Sequence, residues 1–187
     1  MTSPYRVMTV CTGNICRSPM AEIVLRERFA AAGLADAVQV DSTGISDEEH
    51  GNPVDWRARA VLRRHGYPTG DGHRARQTRP TDLAARDLVL PMTAAHARAL
   101  RRLADGDPAL TGRVRMFRTF DPAAPAEPGQ PEHVLDVDDP WYGPEEGFET
   151  TLAEIEAAAD GIVDFVREAL AERRDGAPGD AADHPRA

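Results

Sequence analysis

Apolar and polar positions change their spacing several times along this chain, and each change marks an element. Tyr5 to Cys11 (YRVMTVC) is a short, β-branched apolar run that ends in a glycine turn, the pattern of a strand. From Pro19 onward, Met20, Ile23, Val24 and Phe29 recur at helical spacing until Gly33 stops them. Val38 to Ser42 reads as a second strand, and Val54 to His65 as a helix closed by Gly66. Asp87 to Met92 follows as a third strand, and Ala94 to Leu103 as an Arg-rich amphipathic helix. Arg113 to Phe117 is expected to form a fourth strand. A long loop carries Pro122, Pro125, Pro128 and Pro131, and a helix from about Gly147 to Ala171 then presents Leu152, Ile155, Ile162, Val163, Val166 and Leu170 on one face.

Strands that alternate with helices predict an α/β fold: a doubly wound parallel sheet with helices on both faces. The 187 residues suffice for one core, so residues 1–171 are expected to form one domain. The polar, Gly- and Pro-rich residues 172–187 are expected to be a disordered tail. No stretch approaches the roughly eighteen consecutive apolar residues of a membrane helix, and MTSPYRVMTV lacks the basic start and apolar run of a secretory signal. A soluble, cytoplasmic protein with no membrane partner is expected. The basic residues are all Arg, 22 against 31 acidic residues, and the net charge of −9 argues against general nucleic-acid binding. Two cysteines, Cys11 and Cys16, are too few for a disulfide framework, and their surroundings offer no further zinc ligands. No metal or cofactor is expected, which leaves nucleophilic chemistry or redox sensing for the thiols.

In a doubly wound sheet, ligands bind beyond the carboxyl ends of the strands, where a loop feeds a helix N-terminus. The first such loop here is VCTGNICRSPMAE, Val10 to Glu22. Backbone N–H groups and the positive end of the helix dipole make such a turn an anion site. Gly13 lets the backbone curl, and Asn14 tolerates the left-handed conformation that a curl of this kind needs. Arg17 supplies a planar fork of donors matched to a phosphate. Cys11, at the bottom of the cradle, feels the same positive field, which favours its nucleophilic thiolate; Ser18 is placed to hydrogen-bond the sulfur and Pro19 to start the helix. A thiolate that takes a phosphoryl group also needs an acid for the leaving oxygen. Among the acidic residues, Asp139 in VDDPWYG stands out, because Asp-Pro stiffens the loop and Trp141 and Tyr142 could exclude water and flank a planar substrate.

Together these residues resemble the low-molecular-weight protein tyrosine phosphatases. The resemblance runs from about Arg6 to Leu170, and VCTGNICRSPMAE, VDSTG, GNPVDWRA, RHGYP, HRARQ and DDPWYG stand in the family's order and spacing. It implies a four-stranded parallel sheet of order 2-1-3-4. It further implies that Cys11 forms a phosphocysteine, that Arg17 binds the phosphate, and that Asp139 acts as general acid and then as the base that activates water. Thr12, Gly13, Asn14, Ile15, Cys16 and Ser18 would complete the phosphate loop, with Trp141 and Tyr142 at the substrate. Asn14 would be tied to Ser18, Ser42 and His73. Cys16 would close a reversible disulfide with Cys11 that protects the nucleophile from irreversible oxidation. The implied partner is a phosphotyrosine protein or peptide.

Three positions depart from the family pattern. Asp47, Glu48 and Glu49 occupy the loop after the second strand, where many relatives carry an aromatic; Thr93 stands where an Asp is usual; and Trp141 replaces a commoner Tyr. Thioredoxin-coupled arsenate reductases share the loop but need two cysteines downstream, and this chain has none after Cys16. A protein-arginine phosphatase of the same family resembles the loop with Thr at the position of Ile15. A non-catalytic phosphate-binding module would be signalled by loss of Cys11, Arg17 or Asp139, and all three are present.

Overall fold

The computed structural model describes residues 3–125, 127 and 129–175. Three strands form its sheet: β1 (Tyr5–Cys11), β2 (Val38–Gly44) and β3 (Leu88–Pro91). They are parallel and ordered β2-β1-β3, with Val7 opposite Val40 on one side of β1 and opposite Leu88 on the other. Six helices surround it: α1 (Arg17–Ala31), α2 (Trp56–Arg64), α3 (Pro80–Ala84), α4 (Ala94–Leu103), α5 (Pro108–Thr111) and α6 (Glu146–Asp175).

Both faces of the sheet are covered, which explains why the strands read as nearly continuous apolar runs. Tyr5, Val7 and Cys11 of β1 and Leu88 and Leu90 of β3 face one core, built with Met20, Val24 and Phe29 of α1, Val61 and Leu62 of α2 and Ile155, Ile162 and Val166 of α6. Met8 and Val10 of β1 and Val89 of β3 face the other, built with Leu83 of α3 and Ala97 and Leu100 of α4. The alternation along β1 and β3 is the period of two that a strand imposes.

The expected fourth strand is not formed. Val114 makes one parallel bridge to Val89 at the outer edge of β3, through Val89 N–H to the Arg113 carbonyl (2.8 Å) and Arg115 N–H to the Val89 carbonyl (3.0 Å). The next residue of β3 on that edge is Pro91, which has no N–H to extend the ladder. The chain turns instead into a 3-10 helix at Phe117–Phe120. The order 2-1-3-4 is thus realised as three strands plus a one-residue bridge.

Other boundaries move less. Helix α1 begins at Arg17 rather than Pro19; a proline fits the first turn because N–H groups there have no carbonyl to meet. Helix α6 runs to Asp175, so residues 172–175, read as the start of the tail, are helical. Residues 176–187, and with them the expectation of disorder, lie outside the described residues, as does Pro128. Among the described residues, no helix is long and apolar enough to cross a membrane.

Candidate active site

The carboxyl end of β1, the start of α1 and the loop 137–142 converge on one cleft. It is lined by Cys11, Thr12, Gly13, Ile15, Cys16 and Arg17, and across from them by Glu48, Glu49, Asp139, Trp141 and Tyr142. A larger groove lies along α1 and the free edge of β2, between Arg26, Val40, Asp41 and Arg86. It holds no nucleophile; Arg86 pairs with Asp41 at 2.6 Å and Arg26 donates to the Val40 carbonyl at 2.7 Å. The smaller cleft holds the reactive groups.

Within it, Cys11 is buried at the end of β1 and its Sγ lies 3.0 Å from Ser18 Oγ in the first turn of α1. Ser18 Oγ accepts from Asn14 Nδ2 at 3.0 Å, so its own single proton is shared between the Thr43 carbonyl (3.2 Å) and the sulfur. A hydroxyl with that choice can turn its proton to a thiolate when one forms. The N-terminus of α1 carries no acidic residue in its first turn and no side-chain cap from Cys16, which leaves its positive end to an incoming anion.

Asn14 adopts φ +60°, a left-handed conformation that Asn tolerates better than most residues. Every polar group of its side chain is used. Nδ2 donates to Ser18 Oγ and to Ser42 Oγ (2.8 Å), and Oδ1 accepts from Arg76 N–H (3.0 Å). The Asn14 carbonyl accepts from His73 Nε2 at 2.7 Å, and Ser42 Oγ donates to Glu22 Oε2 at 2.5 Å. Asn14, Ser18, Ser42 and His73 are therefore brought into one network. Glu22 and Arg76, which the sequence did not single out, belong to it as well. A Cβ on Gly44 would stand 2.5 Å from the Thr12 carbonyl and 3.0 Å from Asn14 N, so only glycine lets the end of β2 pass beneath the loop. Gly44 fell within the VDSTG motif, yet nothing in its neighbours' periodicity distinguished it from a turn.

Arg17 is buried and reaches Asp139 Oδ2 at 2.6 Å, the Val137 carbonyl at 3.2 Å and Thr12 Oγ1 at 3.3 Å, while its Nε has no partner among the described residues. Asp139 caps the 3-10 turn Pro140–Tyr142 by accepting from Trp141 N–H at 3.2 Å, so the Asp-Pro pair sets both the turn and the direction of the carboxylate. The loop is anchored behind it by Val137 N–H to the Met92 carbonyl (2.8 Å) and by Ala94 N–H to Asp136 Oδ1 (2.6 Å). Thr93, the unusual residue after β3, caps α4 by accepting from His96 N–H at 3.2 Å. Trp141 lies against Arg57, whose guanidinium is 5.1 Å from the ring centroid, whereas Tyr142 stands 90% exposed at the rim. Cys16 sits buried at the N-cap of α1, and burial, with the Asp55 carboxylate adding to it, pushes its thiol well up and keeps it protonated.

The cleft thus holds a buried sulfur, an anion-ready helix end, a guanidinium and a carboxylate within one hydrogen-bonded frame. Comparison with known proteins agrees with that chemistry. Residues 6–174 match the model of the low molecular weight phosphotyrosine protein phosphatases. The chain is similar to low molecular weight protein-tyrosine phosphatase A of Mycobacterium tuberculosis, 46% identical over 171 residues that make up 91% of this chain and 97% of the relative. In structure it resembles YfkJ from Bacillus subtilis, with a TM-score of 0.79 and 30% identity over 90% of this chain and 98% of that one. It also resembles Wzb from Vibrio vulnificus, solved in complex with benzylphosphonate, with a TM-score of 0.69 and 26% identity over 87% of this chain and 99% of that one. The chain belongs to the low molecular weight phosphotyrosine protein phosphatases, a family of hydrolases.

Proposed function

We propose that the protein hydrolyses phosphotyrosine monoesters in proteins or peptides through a phosphocysteine intermediate, without metal or cofactor. The observation that carries this reading is the buried Cys11 Sγ, 3.0 Å from Ser18 Oγ, in a cleft spanned by the Arg17–Asp139 pair at 2.6 Å. Asp139 Oδ2 accepts from Arg17 NH2 at 2.6 Å. An incoming phosphoryl group takes its place on Arg17 and draws on the N–H groups at the start of α1. Asp139, released from Arg17, takes a proton from solvent; Cys11 thiolate attacks phosphorus, the P–O bond to the leaving group breaks, and Asp139 passes that proton to the departing oxygen and is left as the carboxylate. Water then attacks the phosphocysteine; Asp139 takes its proton, inorganic phosphate leaves and the thiolate returns. Thr12, Gly13, Asn14, Ile15, Cys16 and Ser18 shape the cradle throughout, with Ser42 and His73 behind them.

The substrate class follows from the walls. Ile15 presents an apolar branch rather than a hydroxyl, which suits an aromatic ring better than a guanidinium, and Trp141 and Tyr142 offer faces to that ring. The benzylphosphonate held by the similar Vibrio protein is an aryl ligand of the same kind. Phosphotyrosine also reaches farther than phosphoserine toward a buried sulfur. Rates on phosphotyrosine, phosphoserine and phosphoarginine peptides of one sequence test the reading. Phosphotyrosine should be hydrolysed fastest, and a higher rate on phosphoarginine would replace it with a protein-arginine phosphatase.

A protective disulfide is part of the same proposal. Peroxide oxidises Cys11 to a sulfenic acid, and the Cys16 thiol displaces water to form the Cys11–Cys16 bond. Mass spectrometry of peroxide-treated protein should find that crosslink, and Cys16→Ser should make inactivation harder to reverse with thiol. Its absence would leave Cys16 as a buried small apolar residue. Two free thiols in the described structure fit a cytoplasmic setting.

A further inference from the structure

One buried titratable side chain at the cleft has no part in the chemistry above. His96, the third residue of α4, is 7% exposed and places Nε2 2.9 Å from Thr12 Oγ1. The same Thr12 oxygen lies 3.3 Å from Arg17 NH2. A guanidinium has only donors, so Thr12 Oγ1 accepts from Arg17 and its single proton is free for the imidazole. In the neutral tautomer with its proton on Nδ1, Nε2 accepts that hydroxyl proton.

We propose that His96 is a positioning residue of the phosphate site: it takes the Thr12 hydroxyl proton through Nε2 and thereby turns the Thr12 oxygen to hold Arg17 at the phosphate loop. The inference rests on the reading of Arg17 as the phosphate-binding group. Helix α4 delivers the ring from its first turn, where Thr93 Oγ1 accepts from His96 N–H and Asp136 Oδ1 accepts from Ala94 N–H. Thr12 is fixed independently through its carbonyl, which accepts from Ser46 N–H at 3.0 Å.

The charge state of the ring fits this role. Burial, and secondarily the positive charge of Arg17, push His96 down to about 3, which favours a neutral ring at neutral pH. An imidazolium would carry a proton on Nε2, so it could no longer take the Thr12 hydroxyl proton, and its charge would oppose the guanidinium. Nδ1 is buried without a partner among the described residues, so Thr12 is the one hydrogen bond the ring makes there. An aliphatic side chain would fill the same space without stranding a polar nitrogen.

Binding of inorganic phosphate, measured by calorimetry alongside kcat, KM and thermal midpoints, tests the inference on wild type, Arg17→Ala, His96→Ala, His96→Gln, Thr12→Val and the Thr12→Val, His96→Ala double variant. His96→Ala and Thr12→Val should each weaken phosphate binding about 3- to 10-fold, the worth of one polar contact. The double variant should be no worse than the poorer single. His96→Gln, whose amide oxygen reaches the place of Nε2, should bind within about twofold of wild type. Additive losses in the double variant, failure of Gln to rescue, or a lowered thermal midpoint with unchanged phosphate binding would each overturn it. If Arg17→Ala abolishes phosphate binding and His96→Ala leaves it intact, this inference alone falls. If phosphate binding survives Arg17→Ala, the reading of Arg17 falls and takes this one with it.

Discussion

The two loops that meet at the Arg17–Asp139 pair are held in opposite ways. From Asn14 to Ser18 every residue of the phosphate loop is buried, and its polar groups are bonded to β2, to α1 and to the segment around His73 and Arg76. In the acid loop only Val137 and Pro140 are buried. Asp138, Asp139, Trp141 and Tyr142 are exposed, and the loop is fixed behind the acid at Asp136 and Val137 and ahead of it through Arg57. The difference follows from the two tasks. A cradle that binds charge in the transition state gains from donors fixed in advance, because nothing then reorganises during reaction. A group that must leave the guanidinium when substrate arrives, and then give and take a proton, gains from being lightly held.

The contrast can be broken from the acid side first. Asp139→Ala should lower kcat by roughly 10²–10⁴, the ordinary range for loss of a general acid–base group, while leaving the cradle and its affinity for phosphate in place. The loss should shrink for leaving groups of low pKa, which depart without a proton. A loss of equal size across a series of aryl phosphates would assign the acid to another residue.

From the cradle side, His96 ties stability to acid. Its folded-state value of about 3 lies below the ordinary 6.5 of histidine, so between these limits the unfolded chain binds a proton that the folded chain refuses. Stability is therefore complete above about pH 6.5 and is lost as pH falls toward 3, at up to about 1.4 kcal/mol per pH unit. Urea unfolding of wild type and His96→Gln at pH 7 and pH 4.5 isolates this component. The wild type should lose more on acidification, and equal losses would show that the ring titrates normally.

The smallest effect concerns the rim. Glu48 and Glu49 line the cleft, so a basic residue beside the phosphotyrosine should raise kcat/KM a few-fold at low salt. Screening over about 8 Å at physiological salt should narrow the difference. The Glu48→Gln, Glu49→Gln variant should narrow it too, and indifference to flanking charge at low salt would remove the rim from substrate choice.

Legibility in the sequence divides along a related line. Helix α4 could be placed to the residue because its amphipathic pattern is local and complete within ten residues. The strand at Arg113–Phe117 could not, because its apolar alternation was real but its partner edge ended at Pro91, a fact about another segment. In the site, Cys11, Arg17 and Asp139 were marked by motifs whose residue types have few other uses together. Glu22, Arg76 and Gly44 stand in quoted motifs but were given no role, and His96 stands in none; all four act through contacts 20 or more residues away. His96 in particular lies in an Arg-rich amphipathic helix whose pattern gives the ring no role. Thr93, which stood out as a missing Asp, is accounted for as the cap of α4, with Asp136 supplying the neighbouring carboxylate from the acid loop.

The covalent role of Cys11 is the centre of this account, and trapping the intermediate tests it most directly. Asp139→Ala protein, slow to dephosphorylate because it lacks the base, should be mixed with an aryl phosphate of low leaving-group pKa, quenched within the first turnover and mapped by mass spectrometry. One phosphoryl group on the Cys11 peptide, absent from the same peptide in a Cys11→Ser protein that still binds inorganic phosphate, is the predicted result. A phosphoryl group on any other residue, or steady turnover by Cys11→Ser, would contradict it.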